Sequence, residues 1–341
     1  MRKFLFLLVI LIGFFFLGLK IIRQNVKNDF VQPVSLPSPT PEITPKLLKI
    51  KNSEVTVNSL FVPYWALNSE PIDPGGATDL LYFGIAPGAQ GINKDETGYK
   101  SIDKFVSSIP AGAKTGLVVR MIDSATTFPI LEDSAKQNSV IQDSIETAKQ
   151  NGFSGIVLDL EISAVPFDSL IKQVNAFTEE FHTQAGKSNL KFSLMLYGDS
   201  FYRLRPFDVK ALSKNADNFM IMAYDFSKSR SNPGPNFPLN GKEVYGYDMT
   251  QMVEDFLKFL PPDRTSVVFG LFGYDWAVDD KGNALSQGKS KTYSEIKKEF
   301  LTDCPYKDCD IKRKNDSVEI EITYTDDDGK KHVVWFEDMD S

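Results

Sequence analysis

Gly155-Ile156-Val157-Leu158-Asp159-Leu160-Glu161-Ile162 is the stretch on which the reading of this chain turns. A short apolar run that follows the turn residue Gly152 reads as a strand buried on both faces. It closes on two carboxylates, Asp159 and Glu161, at i and i+2, which a strand places on one face with Cα atoms about 6.6 Å apart. Two acids buried side by side are costly unless they share a proton or find partners, so one is expected to hold its proton above the ordinary range. That is how a general acid is made. An ion pair or a helix cap just past the strand would use the same two residues.

Working outward, further apolar runs start at Ser59 (SLFVPYW), Asp79 (DLLYFGIAP), Thr115 (TGLVVRMI), Lys191 (KFSLMLY), Asn218 (NFMIMAYDF) and Ser266 (SVVFGLFGYDW). Helical patterns separate them. Val140, Ile141, Ile145 and Ala148 recur at helical spacing and stop at Gly152, a residue suited to a helix C-terminus. Phe167, Leu170, Ile171, Val174, Phe177 and Phe181 form a second stripe, with His182 beside it as a solvated surface histidine. A helix opens at Asp208, and another runs from about Met249 to Leu260 before Pro261 and Pro262. Strands separated by helices run parallel, and seven such units before Ala277 suit an α/β chain closed into a (β/α)8 TIM barrel of ~250 residues. In that architecture chemistry gathers at the C-terminal ends of the strands.

Composition limits the alternatives. Among 341 residues, Lys+Arg 38 against Asp+Glu 45 gives a net charge of -7. With no basic run, a nucleic-acid partner is not expected. Two cysteines and two histidines are too few for a closed His/Cys metal site, so no metal is expected. Residues 1–23 hold an uncharged apolar stretch, Phe4 to Leu19, flanked by Arg2, Lys3, Lys20 and Arg23. It covers roughly 24 Å as a helix, which Ile21 and Ile22 extend, and it reads as an uncleaved single-pass signal anchor or as a signal peptide. Residues 24–58 carry Pro33, Pro37, Pro39, Pro41 and Pro45 and read as an extended Pro-rich linker. The folded domain is expected over 59–341, on the extracytoplasmic side of the membrane, as a monomer.

Ser154 to Glu161 resembles the DGxDxDxE signature on the fourth strand of glycoside hydrolase family 18, the chitinase-like hydrolases. Met222-Ala223-Tyr224-Asp225 resembles the family's MxYD on strand 6. GLFGYDW (Gly270 to Trp276) looks like its strand 7 and VWFED (Val334 to Asp338) like its strand 8. The last two are closest to the bacterial spore-cortex and cell-wall N-acetylglucosaminidase branch. The resemblance implies a retaining, substrate-assisted glycosidase acting on β-1,4-linked N-acetylglucosamine in peptidoglycan or chitin-like glycan, without a cofactor. By resemblance Glu161 is the general acid and base, Asp159 orients the acetamido N–H, Tyr224 holds its oxygen and Asp225 positions the sugar. Trp335 is the aromatic floor, or else a core tryptophan, and Tyr64, Trp276 and Tyr197 are further candidates for contact with the glycan.

Two departures stand out. Ser154 and Val157 replace the family's first and middle acids; valine cannot share a proton with Asp159, which implies a slower enzyme or a shifted pH profile. A glycan-binding protein that has lost turnover is the alternative. The third strand lacks the family's usual SxGG ending and carries Arg120, placed to pair with an acid near the barrel. Residues 277–332 are expected as a small α+β insertion between strands 7 and 8. In it Val318, Ile320, Ile322 and Tyr324 alternate as a strand, Asp328-Gly329 turns, and Lys331 to Phe336 returns. Cys304 and Cys309 are expected to form a local disulfide in an exported protein. Asp326, Asp327 and Asp328 read as a solvated turn, with a calcium loop the weaker reading, and His332 as structural. With Val334–Asp338 as strand 8, the eighth helix is left without residues, and either the gene is truncated or another segment covers that strand.

Overall fold

The computed structural model describes residues 59–67, 72–338 and 340–341, all within one compact unit, Val55–Ser341. The expected anchor (1–23) and linker (24–58) lie outside the described residues. Among those described, no helix is long and apolar enough to cross a membrane.

Seven strands form one curled parallel sheet in chain order: β1 (Ser59–Pro63), β2 (Asp79–Ile85), β3 (Lys114–Met121), β4 (Gly155–Leu160), β5 (Lys191–Tyr197), β6 (Asn218–Ala223) and β7 (Thr265–Phe269). The inner strands are continuous apolar runs because both faces are covered: every residue of β4 from Ile156 to Leu160 is buried. Register carries the strand ends into one plane, with Arg120 beside Asp159, Asp159 beside Met195, and Tyr197 beside Met222. Helix α1 (Ser134–Gln150) is capped by Asp133, whose side chain accepts from the Ala135 N–H. It buries the expected Val140, Ile141, Ile145 and Ala148. Gly152 follows at φ 72, a conformation that costs glycine nothing. Helix α2 (Asp168–Lys187) buries Val174, Phe177 and Phe181; Phe167, expected to begin that stripe, is its N-cap and stands exposed. His182 is half-buried, its ring stacked near Phe192 and its Nε2 3.9 Å from Asp217. Helix α3 (Met249–Leu257) is shorter than expected.

The run expected as a single seventh strand is two. At Gly270 the chain leaves the parallel sheet, and residues Phe272–Val278 form β8 in a separate antiparallel sheet. That sheet has the order β9 (Lys289–Thr292), β8, β12 (Lys331–Phe336), β11 (Ile320–Thr325), β10 (Lys307–Arg313). VWFED is therefore not an eighth barrel strand: its first three residues end β12, which pairs antiparallel with both β8 and β11. The antiparallel sheet accordingly runs from Phe272 to Phe336, beyond the 277–332 expected for the insertion at both ends. Within it Ile322, Tyr324, Val334 and Phe336 pack one sheet face against Ile296 and Phe300 as a small core of their own. Val318 sits outside β11 in a left-handed conformation (φ 63). Cys304 and Cys309 are joined by a disulfide, and Asp326 accepts from the Lys330 N–H across the hairpin turn.

Candidate active site

Asp159 is the penultimate residue of β4 and points inward on the same face as Val157. It is 1% exposed, and neither carboxyl oxygen has a hydrogen-bond partner. Burial pushes its pKa well above the ordinary value, the neighbouring Glu161 adds to this, and Arg120 alone opposes it. Glu161 stands just past the strand because its backbone N–H still donates to the Met121 carbonyl, 3.1 Å. Its Oε2 accepts a 3.0 Å bond from the Tyr197 hydroxyl. Burial raises the Glu161 pKa; Tyr197, Lys228 and Arg205 pull it down and Asp225 pushes it up. The two adjacent carboxyls thus differ, one dry and unpartnered, the other held by a phenol at the mouth. Such divergence separates the roles of a pair of acids.

Tyr197 is fixed from behind. Arg205 lies 3.9 Å over its ring and is gripped by both oxygens of Asp199, at 2.9 and 2.7 Å, and by Ser163 Oγ. Burial would raise Asp199, yet hydrogen bonds from Arg205 and Arg203 hold it below the ordinary range. Burial and Glu161 push the Tyr197 phenol upward, so it remains a hydrogen-bond donor. Lys228, 5.2 Å from the same ring, brings a further cation to the acid.

Past β6, Tyr224 and Asp225 face the same centre. Burial, then Asp159 and Glu161, raise the Tyr224 phenol; its ring meets Phe272 edge-on at 5.9 Å. Asp225 sits at φ 59, rare for a residue with a side chain. Its Oδ1 accepts from the Tyr274 hydroxyl at 2.7 Å, and its backbone N–H donates to Asn236 Oδ1 at 2.8 Å.

Asp159, Glu161, Tyr197, Tyr224 and Asp225 are therefore brought together. Tyr64 stands at the end of β1, 5.6 Å from the Arg120 guanidinium. Arg120 pairs with Glu96 at 3.2 Å. The two tryptophans expected at the sugar are both buried. Trp276 is 0% exposed and donates its indole N–H to the Ser229 carbonyl. Trp335 is 5% exposed and shares an apolar cluster with Trp276 and Val278. Both lie on the sheet face that carries Tyr274, which pairs with Trp335 across β8 and β12 and packs against their cluster. His332 Nδ1 lies 2.8 Å from Asp275 Oδ1, outside this cluster. Among the described residues, no group of three or more His, Cys, Asp or Glu is arranged to hold a metal.

Several residues escaped the sequence reading. Tyr274 lies inside GLFGYDW, two positions before Trp276, and alternation along β8 would have placed it on the tryptophan's face. Arg205, Asp199 and Asn236 lie in irregular loops without periodic pattern, and no local signal marks them.

Comparison with known proteins places the chain in a family. The profile of Glycosyl hydrolases family 18 matches residues 94–341. A cortical fragment-lytic enzyme of Bacillus anthracis is 25% identical over 317 residues, covering 88% of this chain and 65% of its own length. The chain thus spans less than two thirds of that relative's length. A class V chitinase from Nicotiana tobaccum superposes with TM-score 0.70 at 18% identity, covering 84% of this chain and 88% of that one. A family 18 chitinase from Cycas revoluta, solved in complex with (GlcNAc)3, gives 0.67 at 19%, covering 83% and 88%. With the family profile covering most of the sequence and two carboxylates converging at the end of the fourth strand, this chain belongs to glycosyl hydrolases family 18.

Proposed function

We propose that the protein hydrolyses β-1,4-linked N-acetylglucosamine glycans with retention, by a substrate-assisted route. The observation that carries the reading is the pairing of a dry Asp159 with a phenol-held Glu161 of raised pKa, facing Tyr224. Glu161 protonates the leaving oxygen while the carbonyl oxygen of the substrate's own 2-acetamido group attacks the anomeric carbon. Asp159, whose two unsatisfied oxygens await a donor, accepts from the acetamido N–H and stabilises the cationic ring that forms. Tyr224 donates to the acetamido oxygen and Asp225 orients the sugar. Water then opens the ring, with Glu161 as base. The names of the Bacillus relatives favour cell-wall glycan over chitin as the substrate. The apolar segment at residues 4–19 favours an extracytoplasmic protein held by residues 1–23 and carried on the linker.

The test is release of reducing ends from chitooligosaccharide and from cell-wall glycan. Glu161→Gln is expected to lower kcat by ~10²- to 10⁴-fold while glycan binding persists. Undiminished activity in that variant would sink the mechanism. Val157, which leaves Asp159 without a proton-sharing neighbour, favours a second reading as a glycan-binding protein. Binding by the native chain without turnover would select it.

A further inference from the structure

We infer that Glu319, on the insertion, is a positioning residue for Asp225, acting through Asn236; the inference rests on the reading of Asp225 as the residue that orients the sugar. Asp225 occupies a left-handed conformation, which persists in a residue with a side chain only where the surroundings over-determine it. Those surroundings are specific. Asn236 Oδ1 accepts from the Asp225 N–H at 2.8 Å and the Asn236 carbonyl from the Phe226 N–H at 2.6 Å, so one residue grips both sides of the turn. Asn236 is itself fully buried. Its N–H donates to Glu319 Oε2 at 2.7 Å, and the Phe237 N–H donates to Glu319 Oε1 at 2.8 Å.

Glu319 is a buried carboxyl with a second buried carboxyl, Glu337, beside it. It is 0% exposed, and among the described residues no cation pairs with it. A buried carboxylate is costly unless hydrogen bonds satisfy it, and here each oxygen is spent on one backbone N–H of the loop that holds Asp225. Tyr274 adds a second hold from the same insertion, on the Asp225 side chain. The insertion therefore fixes Asp225 at backbone and side chain together.

Glu319→Gln keeps the volume but offers one acceptor oxygen, so one of the two N–H groups faces a donor. Displacements of about 1 Å at a catalytic group cost up to ~10²-fold; loss of one anchor is expected to lower kcat roughly 10-fold, with KM changed less than about threefold. Amide exchange at Asn236 and Phe237 is expected to accelerate, and Glu319→Ala to do so more strongly if it folds. Asp328→Asn, at the exposed turn of the same sheet, leaves both readouts unchanged. Unaltered amide exchange in Glu319→Gln, or a rise in KM alone, overturns the assignment. If the native chain turns over no glycan, the reading of the function fails while the exchange measurement still decides the clamp.

Discussion

Asp159 has both oxygens buried without a partner, and desolvation holds it off the charged form that must meet a cationic ring. In this sheet the position that could have held a proton-sharing acid carries Val157, and Arg120, beside Asp159 in strand register, is the group that lowers its pKa. Removing that cation raises Asp159 further, so Asp159 keeps its proton to higher pH. Arg120→Gln is therefore expected to move the acidic limb of the kcat/KM profile toward alkaline pH; a limb that stays in place would show that Arg120 serves only Glu96. The arginine was visible in the sequence as a cation in an apolar strand. Its partner was not, because Glu96 lies 24 residues upstream in another element. Trp335 shows the opposite case: aromatic identity suggested a sugar floor, but burial is set by tertiary packing. Trp335→Ala is expected to cost about 3–5 kcal/mol of stability, read by denaturant unfolding, with KM nearly unchanged.

Among the elements, the strands and long helices were legible because their periodicity is set locally by which face is buried. The junction at Gly270 was not. SVVFGLFGYDW is apolar without interruption, and the break follows from crowding: a Cβ at Gly270 would meet the Phe272 ring at 2.5 Å and Tyr224 Cβ at 2.9 Å. The antiparallel sheet beyond it contains a second consequence of burial. Burial pushes Glu319 up to about 7 despite its two backbone N–H partners, and it pushes Glu337 well above the ordinary 4.5, with Glu319 adding to the latter. Between about 4.5 and 7 the folded protein then binds more protons than the unfolded chain. This contribution to stability is full below 4.5 and is lost as pH rises through 7. Glu337→Gln removes part of that dependence, so its melting temperature relative to the native protein is expected to improve from pH 5 to pH 8; a constant difference would count against it. Loss of the helix cap in Asp133→Ala is expected to cost about 1 kcal/mol, checked by urea unfolding.

On the scale of the molecule, the three tryptophans divide unequally: Trp65 stands 63% exposed just past β1 of the parallel sheet, while Trp276 and Trp335 are buried in the antiparallel one. Iodide is therefore expected to quench Trp65 alone, and the red shift of emission on unfolding to report the antiparallel sheet rather than the parallel one. Reduction of the Cys304–Cys309 disulfide, which in a loop this short contributes about 2 kcal/mol, is expected to bring that red shift to lower urea while far-UV circular dichroism moves less. The class of fold and the carboxylate pair were readable from spacing. The partition into two sheets was not, since it depends on contacts between residues 34 to 83 positions apart, such as those Asn236 makes to Gly270 and to Glu319. Asn236 also reaches the Phe272 carbonyl, and so touches strand 6's loop, the strand break and the insertion at once. For engineering, the unit of exchange is consequently not the antiparallel sheet. A chimera that imports residues 272–336 from a relative must import the 235–237 loop with them, or it receives a sheet whose anchor belongs to another protein.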